Sequence, residues 1–256
     1  MLCQYLDIRK VIKMIKRQKI RHGVIIISFT LFPIVIFFFS PYIVILGAMI
    51  GVIAGSVIMF SIQFLLSLFL GRALCGYGCP VGGLEECLIY ANDKKIASRK
   101  YDYIKYCLWI PWLIAILVLF IRAGGIKNMD FFFHTINGVS LNEPFTYSIY
   151  YGVVFLIVIL SLILGKRAFC HCVCWMAPFM VIGTNIASWL KIPRLHLNSD
   201  KAKCINCKKC SEKCPMSLDV MYMVENEKMA NSECILCGEC IDSCPKKVIS
   251  YTFKNK

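Results

Sequence analysis

The sequence predicts an α-helical membrane part followed by a small soluble α+β domain, and three observations support this fold class. The 256 residues are 58% hydrophobic and only 17% charged, whereas soluble domains are about 25% charged. Residues 24–70 contain no Asp, Glu, Lys or Arg, but residues 200–256 are densely charged. The 16 cysteines fall in clusters, and C-x₂-C spacing in a lysine-rich tail fits metal ligation in a reducing compartment better than a disulfide scaffold.

About four transmembrane helices are expected in the membrane part, because a helix needs about 20 mostly apolar residues to cross a bilayer. Residues 24–70 are long enough for two helices, and the Ser40-Pro41 pair marks a turn between them since proline removes a backbone donor. Lys105 and Arg122 bound the third helix and are expected to snorkel toward water. The four helices are placed near residues 21–39, 43–70, 103–122 and 145–165.

The distribution of Lys and Arg predicts the orientation of these helices. Segment 1–22 carries seven, segment 71–105 six and the chain from 166 onward 14, whereas the 122–144 loop carries two. Positively charged segments stay on the cytoplasmic side, so we expect a multi-pass protein of the cytoplasmic membrane with both termini in the cytoplasm. Residues 175–190 are also uncharged, and we expect a re-entrant or interfacial helix there because a fifth crossing would move the tail outside.

The chain is therefore divided into three regions. These are a basic cytoplasmic N-terminus (1–22), a membrane domain (23–190) and a C-terminal domain (191–256). The net charge of +14 is attributed to this topology and to contact with anionic membrane lipid. Nucleic acid is not expected as a partner, because no recognition motif accompanies the charge.

The C-terminal domain contains two copies of one cysteine pattern, 30 residues apart. The copies are Cys204-x₂-Cys207-x₂-Cys210-x₃-Cys214-Pro215 and Cys234-x₂-Cys237-x₂-Cys240-x₃-Cys244-Pro245. This is the cysteine run of bacterial ferredoxins that hold two [4Fe–4S] clusters. Zinc is the alternative, since C-x₂-C pairs also build zinc ribbons, but two identical runs that both end in Cys-Pro favour iron–sulfur clusters in a ferredoxin-like domain.

The spacing also predicts which thiolates share a cluster. Three thiolates on a tight loop can wrap three corners of a cubane, whereas the fourth leads away into a helix and reaches the other cluster. We therefore expect one cluster on Cys204, Cys207, Cys210 and Cys244, and the second on Cys234, Cys237, Cys240 and Cys214.

A second internal repeat lies at the ends of the membrane helices. Arg72-Ala73-x-Cys75-x₃-Cys79 follows the second helix, and Arg167-Ala168-x-Cys170-x₃-Cys174 follows the fourth, at an offset of 95 residues. The repeat predicts two parallel two-helix halves. Residues four apart share a face of a helix, so the four thiols are expected to converge near the cytoplasmic surface. Iron, an iron–sulfur centre or soft copper would suit such a redox or metal site, and reduced structural cysteines are the alternative.

Together these motifs resemble the NapH/MauN type of membrane ferredoxin, over nearly the whole chain. Related modules occur in the regulator of nitrous oxide reduction and in a cytochrome oxidase assembly protein. The resemblance implies four membrane helices, a C-x₃-C-P motif after helices two and four, and electron transfer between the membrane quinol pool and a redox partner. Cys79-Pro80 fits this pattern, whereas Trp175 follows Cys174 and an extra Cys172 lies inside the second motif.

The expected function is that of a membrane-bound iron–sulfur protein that links a quinol pool to a partner oxidoreductase, as a quinol dehydrogenase subunit does. The alternatives are an assembly factor that reduces a metal or thiol for another enzyme, and a redox sensor. No C-x-x-C-H haem motif and no nucleotide-binding G-x-G-x-x-G fingerprint is present, so electrons must come from quinol or another protein. Asp130, His134 and Glu143 could accept quinol protons, although a solvated loop is the simpler interpretation.

Overall fold

The computed structural model describes residues 16–96, 100–136, 138–140 and 144–254. Most of the predicted N-terminal region 1–22, as well as Glu143, lies outside the described residues. In chain order, the α-helices of the membrane part are α1 (Lys16–Thr30), α2 (Phe32–Val35), α3 (Pro41–Ile50), α4 (Gly55–Leu70), α5 (Ala73–Tyr77), α6 (Pro80–Leu88), α7 (Tyr101–Arg122), α8 (Pro144–Leu164), α9 (Ala168–Cys172) and α10 (Met176–Trp189).

Two of these helices are long and apolar enough to cross a membrane by themselves. They are α7 and α8, which coincide with the predicted third and fourth membrane helices. A third candidate among the described residues is α1 together with the helical segment Phe32–Phe39, which is bent by 57° relative to α1. The structure therefore contains two or three candidate spans rather than four uninterrupted ones.

The predicted second helix, 43–70, is interrupted in the middle. Helix α3 ends at Ile50, and the next residue, Gly51, has a left-handed φ of 79°, a conformation that glycine adopts without strain. The strand β1 (Val52–Ala54) then pairs in parallel with β2 (Asn128–Asp130), and α4 follows. Gly51 and strand β1 therefore stand where the sequence predicts about one turn of helix, because β1 pairs with the 122–144 loop.

The break at Ser40-Pro41 is found where the sequence predicts it. Ser40 is extended, and Pro41 is the first residue of α3. Two tryptophan side chains donate hydrogen bonds to backbone carbonyl oxygens at this break. Trp175 Nε1 donates to the Phe39 oxygen at 2.7 Å, and Trp112 Nε1 donates to the Pro41 oxygen at 3.2 Å. A helix break inside an apolar layer is tolerated when its freed backbone groups find such partners.

Helix α10 covers the segment predicted to be re-entrant or interfacial. Its 14 residues pack along α4, with the Phe179 ring stacked on the Phe60 ring at 5.5 Å. Gly183 lies directly against Ser67, where any Cβ would collide with the Ser67 hydroxyl. The close approach of α10 to α4 places the second cysteine motif beside the first.

The C-terminal domain has the expected α+β character. Its antiparallel strands β3 (Arg194–Ser199) and β4 (Ile249–Lys254) pair from Arg194 opposite Lys254 to Ser199 opposite Ile249. Between the strands lie a 3₁₀ turn at Lys201–Lys203 and the short helices α11 (Lys209–Lys213), α12 (Val220–Glu225) and α13 (Glu239–Asp242). The strand pair brings the two ends of the domain together and leaves the cysteine loops between them.

The two parts of the molecule share one hydrophobic core. Cys75, Cys170 and Met180 of the membrane part pack with Ile235 and Leu236 of the C-terminal domain. Lys105 contributes to the same junction, because it is fully buried and donates to both carboxylate oxygens of Glu233 at 2.7 and 2.8 Å. The expectation that Lys105 snorkels toward water is therefore wrong: the C-terminal domain covers it and supplies its counter-charge.

Candidate cluster-binding site

The eight cysteines of the C-terminal domain line two separate cavities. The proximal cradle, which lies against the membrane part, is formed by Cys214, Cys234, Cys237 and Cys240. The distal cradle is formed by Cys204, Cys207, Cys210 and Cys244. The cavities contain about 400 and about 370 Å³ of space free of protein atoms, part of which is open to solvent. Each cradle takes three thiols from one run and one from the other, and four thiols around an apolar cavity fit a [4Fe–4S] cubane.

The loops around the two cradles have the same backbone path. Left-handed residues occur at equivalent positions 30 residues apart, as the pairs Asn206 and Leu236, Lys208 and Gly238, and Ser217 and Lys247. A left-handed residue next to a right-handed one aims successive backbone N–H groups at the concave side of a loop, which suits a bound anionic group. In the distal cradle, for example, the Val248 amide donates to the Cys244 sulfur at 3.4 Å.

The cradles differ in their exposure to solvent. Cys207 of the distal cradle is exposed, whereas Cys214, Cys237 and Cys240 are each at most 8% exposed. Burial raises the pKa of the Cys214 thiol to about 11 and that of Cys237 to about 12. These thiols are therefore protonated at neutral pH without iron, and iron binding would have to release their protons.

The four cysteines of the R-A-x-C-x₃-C repeat, here called the motif cysteines, do not lie on helix faces as predicted. Cys75 belongs to α5 and Cys170 to α9, but both helices end before the second cysteine of each motif. Cys79 is extended and precedes Pro80, the first residue of α6. The rule for residues four apart on a helix fails here because each motif contains the turn between two helices.

The motif cysteines nevertheless come together at one place. Burial raises the pKa of the Cys79 thiol, and the neighbouring Cys75 and Cys174 raise it further. Burial and then Cys75 raise the pKa of Cys174 to about 11. Burial raises the pKa of the Cys170 thiol, and Glu85, Cys174 and Cys79 raise it further. Four mutually interacting thiols can act as one redox-active or metal-binding unit, although no three His, Cys, Asp or Glu of the described residues are arranged around a single-ion position.

The two arginines of the repeat are buried ion-pair partners rather than positive charges at a helix end. Arg72 is 1% exposed and pairs with Glu233, the residue before Cys234. Arg167 is fully buried, pairs with Glu86 at 2.6 Å and donates to the Cys75 carbonyl oxygen at 3.1 Å. Each arginine thus joins a cysteine motif to a carboxylate from another segment.

Two buried acids next to the motif cysteines were not singled out by the sequence analysis. Glu85 is fully buried, accepts a hydrogen bond from the Phe169 amide at 2.8 Å and lies 2.8 Å from the Cys170 sulfur. It therefore accepts a hydrogen bond from that thiol. Glu86 lies between Arg21 and Arg167. Their position in a helix that is otherwise apolar could have indicated a functional role. Acids in such a place are buried, and a buried acid needs a charged or hydrogen-bonding partner.

Helix α1 also binds the proximal loop. Arg17 pairs with Asp242 at 2.8 Å, and Arg21 pairs with Glu239 at 2.9 Å. Gln18 donates to the Cys237 carbonyl oxygen at 3.1 Å. The basic N-terminal segment, predicted only as a topology signal, thus holds the loop of the proximal cradle against the membrane part.

Asp130 and His134, considered as proton acceptors for quinol, lie away from the cysteines. They follow the C-terminal end of α7, whereas Lys105 near its start contacts the C-terminal domain. A 22-residue helix is about 33 Å long. The structure therefore does not bring these two residues to the motif cysteines.

Two protein-family models match parts of the chain. A model described as a 4Fe-4S dicluster domain matches residues 196–247, which contain both cradles. A model described as a 4Fe-4S binding domain matches the membrane part twice, over residues 52–100 and 146–193. Each of these two segments contains one pair of motif cysteines. No solved structure matches the chain.

Three relatives are similar to this chain over about 70% of its length. Uncharacterized protein MJ0749 of Methanocaldococcus jannaschii is 26% identical over 68% of this chain and 63% of its own length. MJ0750 of the same organism is 26% identical over 73% of this chain and 75% of its own. YccM of Escherichia coli K12, named as a candidate electron transport protein, is 23% identical over 72% of this chain and 52% of its own. The match thus spans less than two thirds of MJ0749 and of YccM. Together the domain matches indicate 4Fe-4S binding segments in both the membrane part and the C-terminal domain.

Proposed function

We propose that this protein carries single electrons between a membrane quinol pool and a partner oxidoreductase, as its resemblance to the NapH/MauN type implies. The eight cradle cysteines would hold two [4Fe–4S] clusters, which supply the one-electron redox centres when bound. The motif cysteines would form the redox unit nearest the membrane. Both chain termini would lie in the cytoplasm, as the Lys and Arg counts indicate.

The observation that carries this proposal is the shared packing of the motif cysteines with the proximal cradle. Cys75 and Cys170 belong to the same hydrophobic core as Cys214, Cys237 and Cys240. Gly76 lies so close to the Ile235 carbonyl that any Cβ would collide with it. This contact places the first cysteine motif against the loop that begins at Cys234, with no intervening layer of side chains.

The packing supports one order of transfer. The motif cysteines contact the proximal cradle, the proximal cradle shares its domain with the distal cradle, and the distal cradle opens to solvent at Cys207. Electrons from the membrane would follow that order to a soluble partner, and electrons from a partner would follow the reverse order. The buried partners of this path, Arg72 and Glu233, hold its first two components together.

The test is quinol-dependent reduction of the clusters in full-length protein reconstituted into lipid nanodiscs under anaerobic conditions. A menaquinol analogue is added and the loss of cluster absorbance near 400 nm is followed. If the motif cysteines act as a unit, Cys75→Ser and Cys75→Ser with Cys170→Ser should lose the reaction to the same extent. Dithionite should still reduce the clusters in both variants.

Cys107→Ser is the matched control, because Cys107 is an exposed free thiol on α7. It should leave the quinol reaction unchanged. Normal rates in the single and double motif variants would show that the motif cysteines are structural. Partial, additive losses would show that the two motifs work separately.

A second candidate function, in the maturation of a copper enzyme, is favoured by one contact. The Cys75 sulfur lies 3.4 Å from the Met180 thioether sulfur, and a thiol with a thioether is a soft ligand pair that suits Cu(I). Titration of the reduced protein with Cu(I) against a competing chelator tests this candidate. Stoichiometric binding that is lost in Met180→Leu but kept in Met223→Leu, which is buried at the proximal cradle, would favour it over electron transfer alone.

A further inference from the structure

The two cysteine loops of the C-terminal domain have the same backbone but opposite charge. The distal segments 201–210 and 244–247 contain six lysines and no acid, whereas the proximal segment 234–243 contains two acids and no lysine. The six lysines are all exposed and are here called the lysine collar: Lys201, Lys203, Lys208, Lys209, Lys246 and Lys247. Two of them, Lys208 and Lys246, line the distal cradle itself.

The proximal loop is an example of a cysteine loop that is bound to an oppositely charged surface. Its acids Glu239 and Asp242 pair with Arg21 and Arg17 of the basic helix α1. Lys209 occupies the position in the distal loop that Glu239 occupies in the proximal one, 30 residues later. Glu212 occupies the position of Asp242, so the charge is reversed at Lys209 only. The six exposed lysines still make the collar positive, so its complement is an acidic surface.

The centre of the collar is suited to electron exchange. Ile205 is 56% exposed, and Cys207 and Pro245 are also exposed. A small apolar centre next to the cluster with a charged rim is the usual arrangement of a short-lived protein interface. Asp200, the nearest acid before the collar, pairs with Lys203 at 2.7 Å, so most of the collar charge is not neutralised by that residue.

An anionic membrane surface is the less favoured occupant. The ion pairs that attach the domain to the membrane part come from Glu233 and from the proximal loop. Lys166 also donates to the Glu212 carbonyl oxygen, and the Ile96 amide donates to the Ser217 hydroxyl. Among the described residues, the only ion pair of a collar lysine is that of Lys203 with Asp200 in the same domain. The collar lysines therefore take no part in the ion pairs between the domain and the membrane part.

We infer that the lysine collar docks an acidic, soluble one-electron carrier protein that exchanges electrons with the distal cluster. This inference rests on the proposed function, since it requires a cluster in the distal cradle. In the exchange, one electron leaves the reduced cluster, which returns to its oxidised state, and the acceptor gains that electron. The interface would be small and salt-sensitive, because surface charge mainly accelerates encounter.

The experiment uses full-length protein in phosphatidylcholine nanodiscs, reduced with stoichiometric dithionite and mixed in a stopped-flow instrument with one of two acceptors. The first acceptor is an acidic flavodoxin and the second is a basic cytochrome c. The test variant is K209E/K246E, and the control is K228E/K254E, which changes two exposed lysines outside the collar by the same charge. K209Q/K246Q provides a milder variant in case the charge reversal impairs folding.

The expected result has opposite signs for the two acceptors. At low ionic strength, K209E/K246E should slow exchange with flavodoxin by about tenfold or more and accelerate exchange with cytochrome c. K209Q/K246Q should show the same signs with smaller changes. The differences should disappear near 1 M salt, where the Debye length is about 3 Å. A structural defect would slow both acceptors, so the opposite signs identify an electrostatic docking surface.

Three results would overturn the inference. Equal rates for the collar and control variants would show that the collar is not the docking surface. Suppression of wild-type exchange by phosphatidylserine in the nanodisc, relieved in K209E/K246E, would assign the collar to lipid. Absence of cluster absorbance would refute the proposed clusters and the inference together. If the collar behaves as expected but quinol does not reduce the clusters, only the quinol link of the proposed function fails.

Discussion

Two adjacent carboxylates on α6 show how strongly the partners of a buried acid determine its charge. Burial raises the pKa of Glu85, which contacts the Phe169 amide and the Cys170 thiol. Glu86 is also buried, but Arg167 and Arg21 outweigh the burial and lower its pKa to about 2. One residue is thus suited to holding a proton beside the motif cysteines, and its neighbour is a permanent anion between two arginines.

We expect Glu86→Gln to destabilise the protein, because it leaves Arg21 and Arg167 buried without their shared anion. Loss of one partner of a buried ion pair costs about 3–5 kcal/mol. The pKa of Glu86 falls from 4.5 to about 2 on folding, so its contribution is fully present above pH 4.5 and is lost as the pH falls toward 2. Thermal unfolding in detergent should show a lower melting temperature for Glu86→Gln at pH 7 than for wild type, and a smaller difference as the pH is lowered. Glu227→Gln, at an exposed position, should melt like wild type at both pH values.

Cys207→Ser tests the distal cradle at its most exposed thiol. The wild-type C-terminal domain should contain about eight irons in two clusters of four. The substitution should remove or damage the distal cluster and leave the proximal one, so the tail should retain about half of that iron. Iron analysis and electron paramagnetic resonance of anaerobically purified protein measure this, with Cys107→Ser as a control that keeps all the iron. Stoichiometric zinc in place of iron in the wild-type protein would contradict the cluster assignment.

At the scale of elements, short helices that follow the membrane helices position the motif cysteines. Helices α5 and α9 have five residues each, yet they place Cys75 and Cys170 in the core shared with the C-terminal domain. Glu233 lies between Arg72 of the first motif and Lys105 of α7. This carboxylate therefore connects a cysteine motif, a membrane helix and a cluster loop.

A double-mutant cycle measures that connection. Lys105→Met and Glu233→Gln should each destabilise the docking of the C-terminal domain. The first removes one of the two cations that pair with Glu233, and the second leaves Arg72 and Lys105 without their shared carboxylate. The double variant should lose less than the sum of the two, because residues in one buried network couple by about 0.5–3 kcal/mol. Hydrogen exchange of the C-terminal domain in nanodiscs provides the measurement.

The exposed pair Lys203 and Asp200 is the matched control for this cycle. Its side chains are 66% and 47% exposed, and exposed ion pairs contribute about 0–1 kcal/mol. Lys203→Met and Asp200→Asn should therefore change hydrogen exchange little and additively. A coupling at Lys105 and Glu233 no larger than in this control pair would show that the buried network does not hold the domain.

The extent to which the sequence predicts these elements depends on the range of the interactions involved. The cysteine runs, α7 and α8 follow from local spacing and from continuous apolar segments, which need no knowledge of the partners. The interruption of residues 43–70 depends on the pairing of β1 with β2, a contact between segments about 75 residues apart that no local pattern encodes. The burial of Lys105, Arg72 and Arg167 likewise depends on acids that only the folded chain supplies.

At the scale of the whole molecule, the chain forms a continuous path from apolar helices to a solvent-exposed cradle. The membrane part packs against the proximal cradle, and the distal cradle is exposed to solvent at Cys207. The sequence predicts the two ends of this path through hydrophobicity and charge, but only the shared core reveals how they meet.

The orientation of this path is tested with topology reporters. A reporter fused to the C-terminal end should be active only in the cytoplasm, as the 14 Lys and Arg from residue 166 onward indicate. A reporter inserted between Gly124 and Gly125, where a side chain would meet nothing within 4 Å, should be active only outside. An insertion after Asp93 in the α6–α7 connection should behave like the C-terminal fusion. An external C-terminus would revive a further crossing near α10.

The unequal burial of the two cradles has a consequence for how the protein ages in air. Oxygen and chelators reach an iron–sulfur cluster through solvent, and Cys207 exposes the distal cradle while the membrane part covers the proximal one. We expect oxidative damage to begin at the exposed distal cradle, so that the distal cluster is lost before the proximal one. That loss would disconnect the soluble partner while the inner centre still accepts electrons, so the damaged protein would stop passing electrons before it stops taking them up.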